Sequence, residues 1–251
     1  MKTSKPQEAL AASRPTLLRN APALELSNGA IEALKWLALI LMTGDHVNKH
    51  LLHDAYPLLF ALGRIASPLF CFILAFNLAR SKTLERGVYP RTIRRLSIFA
   101  LIASIPYTAL NSMKPGYIFF GWWPLNILAT LMVATTCIFF IDRGRRLDTA
   151  MLIPTFIIGG AIGEFWWPAV LLCISTWLYC RRPRWTSLFF IFVSITGFSV
   201  INQNFWAFAA LPLLFIAQFF RPNISRTKLF FYIFYPAHFA VIWIIVSMIK
   251  L

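Results

Sequence analysis

The chain has 251 residues, of which 59% are hydrophobic and only 13% charged, with a mean hydropathy of +0.67. Soluble domains carry about 25% charged residues, so the composition excludes a soluble globular protein and predicts an all-α polytopic membrane bundle. The net charge of +15 does not indicate nucleic acid, because the basic residues fall in short gaps between apolar runs, as membrane topology dictates.

Residues 1–30 are polar and contain no apolar run that could form a signal-peptide core, so they read as a cytoplasmic tail ahead of a transmembrane domain over 31–251. About nine apolar spans follow, at 33–53, 57–79, 96–112, 118–141, 149–163, 165–180, 185–201, 204–220 and 229–249. The fifth and sixth are short and nearly contiguous, and Gly159, Gly160 and Gly163 mark a break or a re-entrant turn there. Basic residues alternate with the spans. Lys2, Lys5, Arg14 and Arg19 precede the first, and Arg80, Lys82, Arg86, Arg91, Arg94 and Arg95 follow the second. Further clusters stand at Arg143, Arg145 and Arg146, at Arg181, Arg182 and Arg184, and at Arg221, Arg226 and Lys228. The opposite gaps hold only Lys49 and Lys114. Positive charge stays inside, which predicts a cytoplasmic N-terminus and an external C-terminus. Tyr56, Tyr117, Trp122, Trp123, Trp166, Trp167 and Trp206 gather at the predicted outer ends, as an interfacial aromatic belt does. The cysteines (Cys71, Cys137, Cys173, Cys180) form no CxxC, so neither a disulfide framework nor a zinc site is expected. No internal repeat is visible, which weighs against transporters built from duplicated halves.

The first span, ALKWLALILMTGDHVNKHLL, carries two adjacent ionisable residues, Asp45 and His46. Each such group costs roughly 2.5–3.5 kcal/mol on insertion scales and therefore marks function or pairing. Span one runs outward and span two returns from Pro57, so Asp45 and Arg64 fall at the same depth, about two turns below the outer surface. Arg64 is the expected ion-pair partner of Asp45, leaving His46 as a titratable general base for an amine or hydroxyl nucleophile. The alternative is that the pair only staples two helices and His46 is a satisfied core residue. His46, His50 and His53 share one helical face, but without the intervening glutamate of a metalloprotease helix a metal site is not expected. Asn126 lies about two turns in from the outer side of span four, as an interhelical hydrogen bond or a substrate contact. Glu164, at the outer end of span five, either reaches the interface or positions a cationic amine. Tyr235 and His238 flank the helix-breaking Pro236 and are candidates to line a cavity. The basic stretch containing Arg94 and Arg95 is a topology signal that also suits a polyphosphate co-substrate. No Walker or Rossmann glycine signature accompanies it.

Taken in order, LKWLALILMTGDHVNKHLL, LGRIASPLFCFILAFNLARS, RRLSIFALIASIPY, PLNILATL and FYIFYPAHFAVI resemble the TraX family over Ile31 to Ile245. The family's DH corresponds to Asp45-His46, its GR to Gly63-Arg64, its PLF to Pro68-Leu69-Phe70, its asparagine block to Asn126 and its YPxH to Tyr235, Pro236 and His238. Asn48 stands where that family has a glycine, and Ser67 where it has an aromatic residue before the PLF. The resemblance implies a multi-pass protein of the bacterial inner membrane that transfers acetyl from acetyl-CoA to the N-terminal amine of conjugative pilin. Membrane lipids are its other partner; nucleic acid is not. On that reading His46 is the catalytic base, held by Asp45 and Arg64, with Asn126 or His238 donating to the oxyanion. The rival readings are an O-acyltransferase acting on a glycan or lipid hydroxyl, a proton-coupled permease, and a non-catalytic assembly factor.

Overall fold

The computed structural model describes residues 21–112, 121–227 and 229–249. The first twenty residues with Lys2, Lys5, Arg14 and Arg19, the start of the fourth predicted span, Lys114, Tyr117 and Lys228 lie outside the described residues. Everything described is helix or connection, apart from isolated bridge residues such as the pair Leu125 and Gly163.

The helices are α1 (Asn28–His50), α2 (Pro57–Gly63), α3 (Ala66–Leu78), α4 (Val88–Ser112) and α5 (Ile127–Arg143). They continue with α6 (Arg146–Ile162), α7 (Trp166–Arg181), α8 (Trp185–Asn202), a 3-10 turn at Trp206–Ala209, α9 (Ala210–Ala217) and α10 (Phe230–Ile249). Four segments are long and apolar enough to cross a membrane: Pro57–Leu78, Val88–Ser112, Trp185–Asn202 and Phe230–Ile249. The surface agrees with that setting. Leu101, Ile105, Ile153, Ile158, Phe189, Phe215, Met248 and Ile249 are all exposed, an apolar coat that a water-soluble surface avoids.

Several boundaries differ from the sequence expectation, each for a local reason. α1 begins at Asn28, inside the expected tail, because the Ser27 hydroxyl accepts the Ala30 N–H at 3.1 Å and fixes the start. α4 begins eight residues before its apolar stretch, its first turns carrying arginines instead of apolar side chains. The expected span at 204–220 is a short helix, Trp206–Ala217, about 18 Å long at 1.5 Å per residue. Gly159 and Gly160 do not break α6. They let it lie against its neighbours, since an added Cβ would come within 2.5 Å of Val133 and 2.3 Å of Trp167. The chain turns instead at Gly163, where α6 ends.

The arginine-rich loops gather at one end of the bundle. Arg80 Nη2 donates to Asn28 Oδ1 at 2.8 Å, joining the end of α3 to the start of α1. The Tyr89 hydroxyl donates to Asp142 at 2.9 Å, and Arg181 pairs with the same carboxylate, which ties together α4, α5 and α7. Ala21 N–H reaches Pro183 O at 3.1 Å. In the next turn Arg143 forks onto Asp148, whose carboxylate also accepts the Arg145 N–H and caps α6; Gly144 (φ 64°) supplies the left-handed residue that closes α5. Arg143 holds the Asp148 carboxyl below its usual range through these hydrogen bonds.

At the opposite end the turn between α1 and α2 is clamped by Asn48. Its Oδ1 accepts the Tyr56 N–H at 3.0 Å and its Nδ2 donates to Tyr56 O at 3.1 Å. Tyr56, Trp122, Trp166, Trp167 and Trp206 of the expected aromatic belt are all exposed. Buried apolar side chains form one large cluster through α4, α5, α7, α8 and α10 and a smaller one joining α1, α3 and α9. Between lipid-facing helices such packing acts through close contact and hydrogen bonds, since lipid is as apolar as leucine.

Candidate active site around His46

The helical hairpin α1–α2 brings Asp45 beside Arg64, and the two form an ion pair. Two sequence features permit it. Gly63 lies so close to α1 that an added Cβ would stand 2.4 Å from Asp45 Cβ. Pro68 has no N–H for the carbonyl of Arg64, and the chain answers with tight three-residue bonds, Arg64 N–H to Ala61 O and Ile65 N–H to Leu62 O. The helix breaks for two residues at that point, and Arg64 is set at the break. Its guanidinium also contacts Asn202 Oδ1 at 3.4 Å and Phe60 O at 3.3 Å, and lies 4.4 Å from the centre of the Phe60 ring.

His46 is hydrogen-bonded to a residue 192 positions away: its Nδ1 stands 2.8 Å from His238 Nε2. The two rings are nearly coplanar, at 6°, with centroids 5.1 Å apart, so they meet edge to edge along that bond. His238 Nδ1 lies 3.1 Å from Phe234 O. A carbonyl only accepts, so His238 Nδ1 carries the proton and the Nε2 of a neutral ring is bare. The proton in the bond between the rings therefore belongs to His46 Nδ1. Neutral His46 is left with a lone pair on Nε2, the form a base requires. Phe239 packs on both rings, with centroids 4.5 Å from His46 and 4.4 Å from His238.

A narrow cavity of about 30 Å³ adjoins this pair, lined by His46, Asp45, Arg64, Glu164, Phe165 and Tyr235 among others. Glu164 is delivered to it by an unusual turn. Phe165 (φ 59°) and Trp166 (φ 48°) take left-handed backbone, which costs an L-residue roughly 1–2 kcal/mol. The turn is held by the Glu164 N–H on Leu125 O at 2.9 Å and by Thr130 Oγ1 on Glu164 O at 3.0 Å. The Glu164 carboxylate faces the amino end of α5, near the Ile127 N–H, within electrostatic reach of Arg64, Lys49 and Asp45. A wider cavity of about 360 Å³ opens beyond Arg64 on the far side from His46, lined by Lys49, Asp54, Pro57, Phe60 and Arg64.

Asp45, His46, Arg64, Glu164, Tyr235 and His238 thus converge. Asn126 does not join them. Its Oδ1 caps α5 through the Leu128 N–H, and its Nδ2 donates to Ala100 O at 3.0 Å and Ser104 Oγ at 3.1 Å. It has no donor left for an oxyanion, and neither does His238, whose Nδ1–H is given to Phe234. Arg94 and Arg95 lie in the first turns of α4 at the basic end; Arg95 and Arg226 both act electrostatically on Tyr232, six residues before His238 on α10. No group of three or more His, Cys, Asp or Glu side chains is placed to hold a metal ion among the described residues. The residues that the sequence left unmarked are Asn202 and Phe239, while Gly63 is marked only as the glycine before Arg64. An asparagine closing an apolar span was the one signal for Asn202; Gly63 and Phe239 gain their roles only from packing.

An all-α fold with four membrane-length apolar segments and an Asp–Arg–His–His cluster whose Asp45 and His238 are buried defines a polytopic integral membrane protein. The family model described as "TraX protein" matches residues 30–246, and the chain belongs to that family. It is similar to Protein TraX of Escherichia coli, 26% identical over 250 residues and 95% of both chains. It is also similar to Protein TraX of Escherichia coli strain K12, 26% identical over 179 residues, covering 70% of this chain and 67% of that one. No solved structure matches it.

Proposed function

We propose that the protein is an acetyl-CoA-dependent N-acetyltransferase of the bacterial inner membrane, with the arginine-rich end in the cytoplasm. The acceptor is the N-terminal amine of conjugative pilin. The observation that carries the reading is the His46–His238 hydrogen bond, which leaves His46 Nε2 as a base beside a cavity within an otherwise apolar bundle. The gathering of the basic loops at one end supports the orientation.

In the reaction the acceptor nitrogen attacks the thioester carbonyl, a C–N bond forms and the C–S bond breaks. His46 Nε2 takes the proton from the attacking amine and returns it to the departing thiolate. Meanwhile the Nδ1–H bond to His238 orients the ring and shares the transient charge. The Asp45–Arg64 pair fixes the two helices at the level of the reaction. Tyr235 lines the cavity beside His46 and packs edge-on against His238, which helps to shape the space for the acyl group. Arg94, Arg95 and Arg226 suit the phosphates of the donor, and Tyr232 brings that positive field to about 9 Å from His238 along α10.

Replacing His46 by alanine is expected to lower transfer by about 10²–10⁴-fold while the protein still inserts. Intact-mass measurement of pilin from cells carrying the variant checks this, and fully acetylated pilin would overturn the assignment. The in-plane histidine pair also suits a proton-coupled permease. Proton uptake by vesicles without acyl transfer would favour that reading.

A further inference from the structure

Of the described residues lining the two cavities, Arg64 alone is common to both. It stands between a space of about 360 Å³ at the outer turn and one of about 30 Å³ beside His46. The inner space holds roughly one water-sized group, too little for an acyl carbon and its nucleophile together. Transfer therefore requires this partition to move. The backbone at this point is pressed against α1 through Gly63, so the side chain is the part that can swing. Its main anchor is the ion pair with Asp45, which an arriving ammonium group would take over as the guanidinium leaves. Two further anchors are carried by Phe60 on its own helix, and the contact to Asn202 is long at 3.4 Å.

A second observation says what replaces it. Asn202 is only 8% exposed, yet its Nδ2 has no partner among the described residues. A buried amide donor without an acceptor costs free energy unless something arrives to meet it. Arg64, which reaches Asn202 Oδ1, lines the inner cavity with two carboxylates, Asp45 and Glu164, and Lys49 lies within electrostatic reach of both. Once Arg64 swings away, the same wall offers negative charge for an amine and an N–H for a carbonyl a few atoms behind it. A free amine followed by an amide carbonyl is the start of a peptide; a sugar or lipid hydroxyl presents neither.

We propose that the outer cavity is the entrance for the amino end of an extended peptide, that Arg64 is its gate, and that Asn202 Nδ2 receives the peptide's first carbonyl when the gate opens. The proposal rests on the amine-acylation reading and adds the route and the recognition element.

The test compares two probes on the full-length protein in nanodiscs: a short synthetic peptide with a free amino end, and a simple alkylamine without a carbonyl. Asn202→Ala is expected to raise KM for the peptide roughly 3- to 10-fold, the loss of one neutral hydrogen bond, while KM for the alkylamine and for acetyl-CoA stays unchanged. Asn202→Asp, which keeps the Oδ1 acceptor for Arg64 and lacks only the Nδ2 donor, is expected to raise KM for the peptide likewise, so that the loss is read from the donor and not from the Arg64 contact. Equal rises for both probes, or no rise for the peptide, would overturn the assignment.

A second arm does not depend on turnover. A photo-crosslinking phenylalanine analogue at Phe60 is expected to capture the peptide, in competition with unlabelled peptide, and the same analogue at Leu84 is not. Capture at Leu84 only, or lipid adducts at Phe60 in place of peptide, would refute the entrance. Capture at Phe60 by a protein that acetylates neither probe would retain the entrance and sink the acyltransfer reading.

Discussion

Two Asp–Arg pairs of this protein are built from the same chemistry and placed in opposite settings. Arg143–Asp148 belongs to the tight turn between α5 and α6, where the carboxylate also caps a helix and the arginine side chain is 28% exposed. Asp45–Arg64 lies within the bundle, at a helix break, with an asparagine and two histidines around it. In the first pair the buried carboxylate keeps a backbone N–H as a second partner and only the arginine reaches the surface. The second neutralises charge where little else can, so breaking it exposes the full desolvation cost of its partner. The difference separates a topological device from a candidate reaction centre.

The largest effect is expected from Arg64→Ala. It leaves Asp45 buried and unpaired, at a cost of about 3–5 kcal/mol, whereas after Arg143→Ala the Asp148 carboxylate still accepts the Arg145 N–H and caps α6, so the loss is smaller. Thermal midpoints of the two detergent-solubilised variants, read by fluorescence-detected gel filtration, check this contrast. Similar shifts for both would erase the distinction.

Next comes the histidine pair. His238→Ala removes the acceptor that fixes the His46 tautomer and is expected to lower kcat by about 10²-fold with the acceptor KM held. His238→Gln, whose carbonyl oxygen can accept the same Nδ1–H, should restore part of the rate. A purely structural His238 would instead lower protein yield and leave turnover per molecule intact.

A smaller contrast involves two glycines. Gly63→Ala drives a methyl into Asp45, an overpacking worth about 1–3 kcal/mol, and should lower the thermal midpoint and activity together. Gly87, at φ 59° with open space around it, should cost about 1–2 kcal/mol for its left-handed backbone alone. Its replacement by alanine should leave activity per folded molecule unchanged.

The smallest effect is a pH dependence confined to the basic end. Because the folded pKa of Asp148 lies below the ordinary 3.8, its contribution is present above that value and is lost as pH falls through the folded one. Wild type should therefore exceed Asp148→Asn in thermal midpoint at neutral pH, and the two should converge in acid. A gap that persists in acid would show that the carboxylate charge is not what matters.

Much of this was legible from residue order. The hydrophobic runs fixed the all-α class, the arginine spacing fixed which ends meet, and the level placement of Asp45 and Arg64 followed from a short turn between two helices. These are near-neighbour inferences, in which rise per residue and loop length leave little freedom. The sequence also presented His46 as the group to be explained.

What it did not contain was the partner of that histidine. His238 lies on the last helix and reaches His46 only because α10 runs alongside α1, with Phe230 and Phe231 against Trp36 and Phe239 against His46. Of the two readings of Asn126 the structure takes the interhelical hydrogen bond: helix rotation turns it to cap α5 and bond α4, away from the cavity. Depth along a helix follows from counting residues; the direction a side chain faces depends on which neighbours the helix packs against. The sequence by itself therefore determined the membrane class, the helical ends and the Asp45–Arg64 pair. Tertiary structure alone decided the His46–His238 bond, the Glu164 turn and the partition at Arg64, because each joins segments whose rotation and approach are set by packing across the whole bundle.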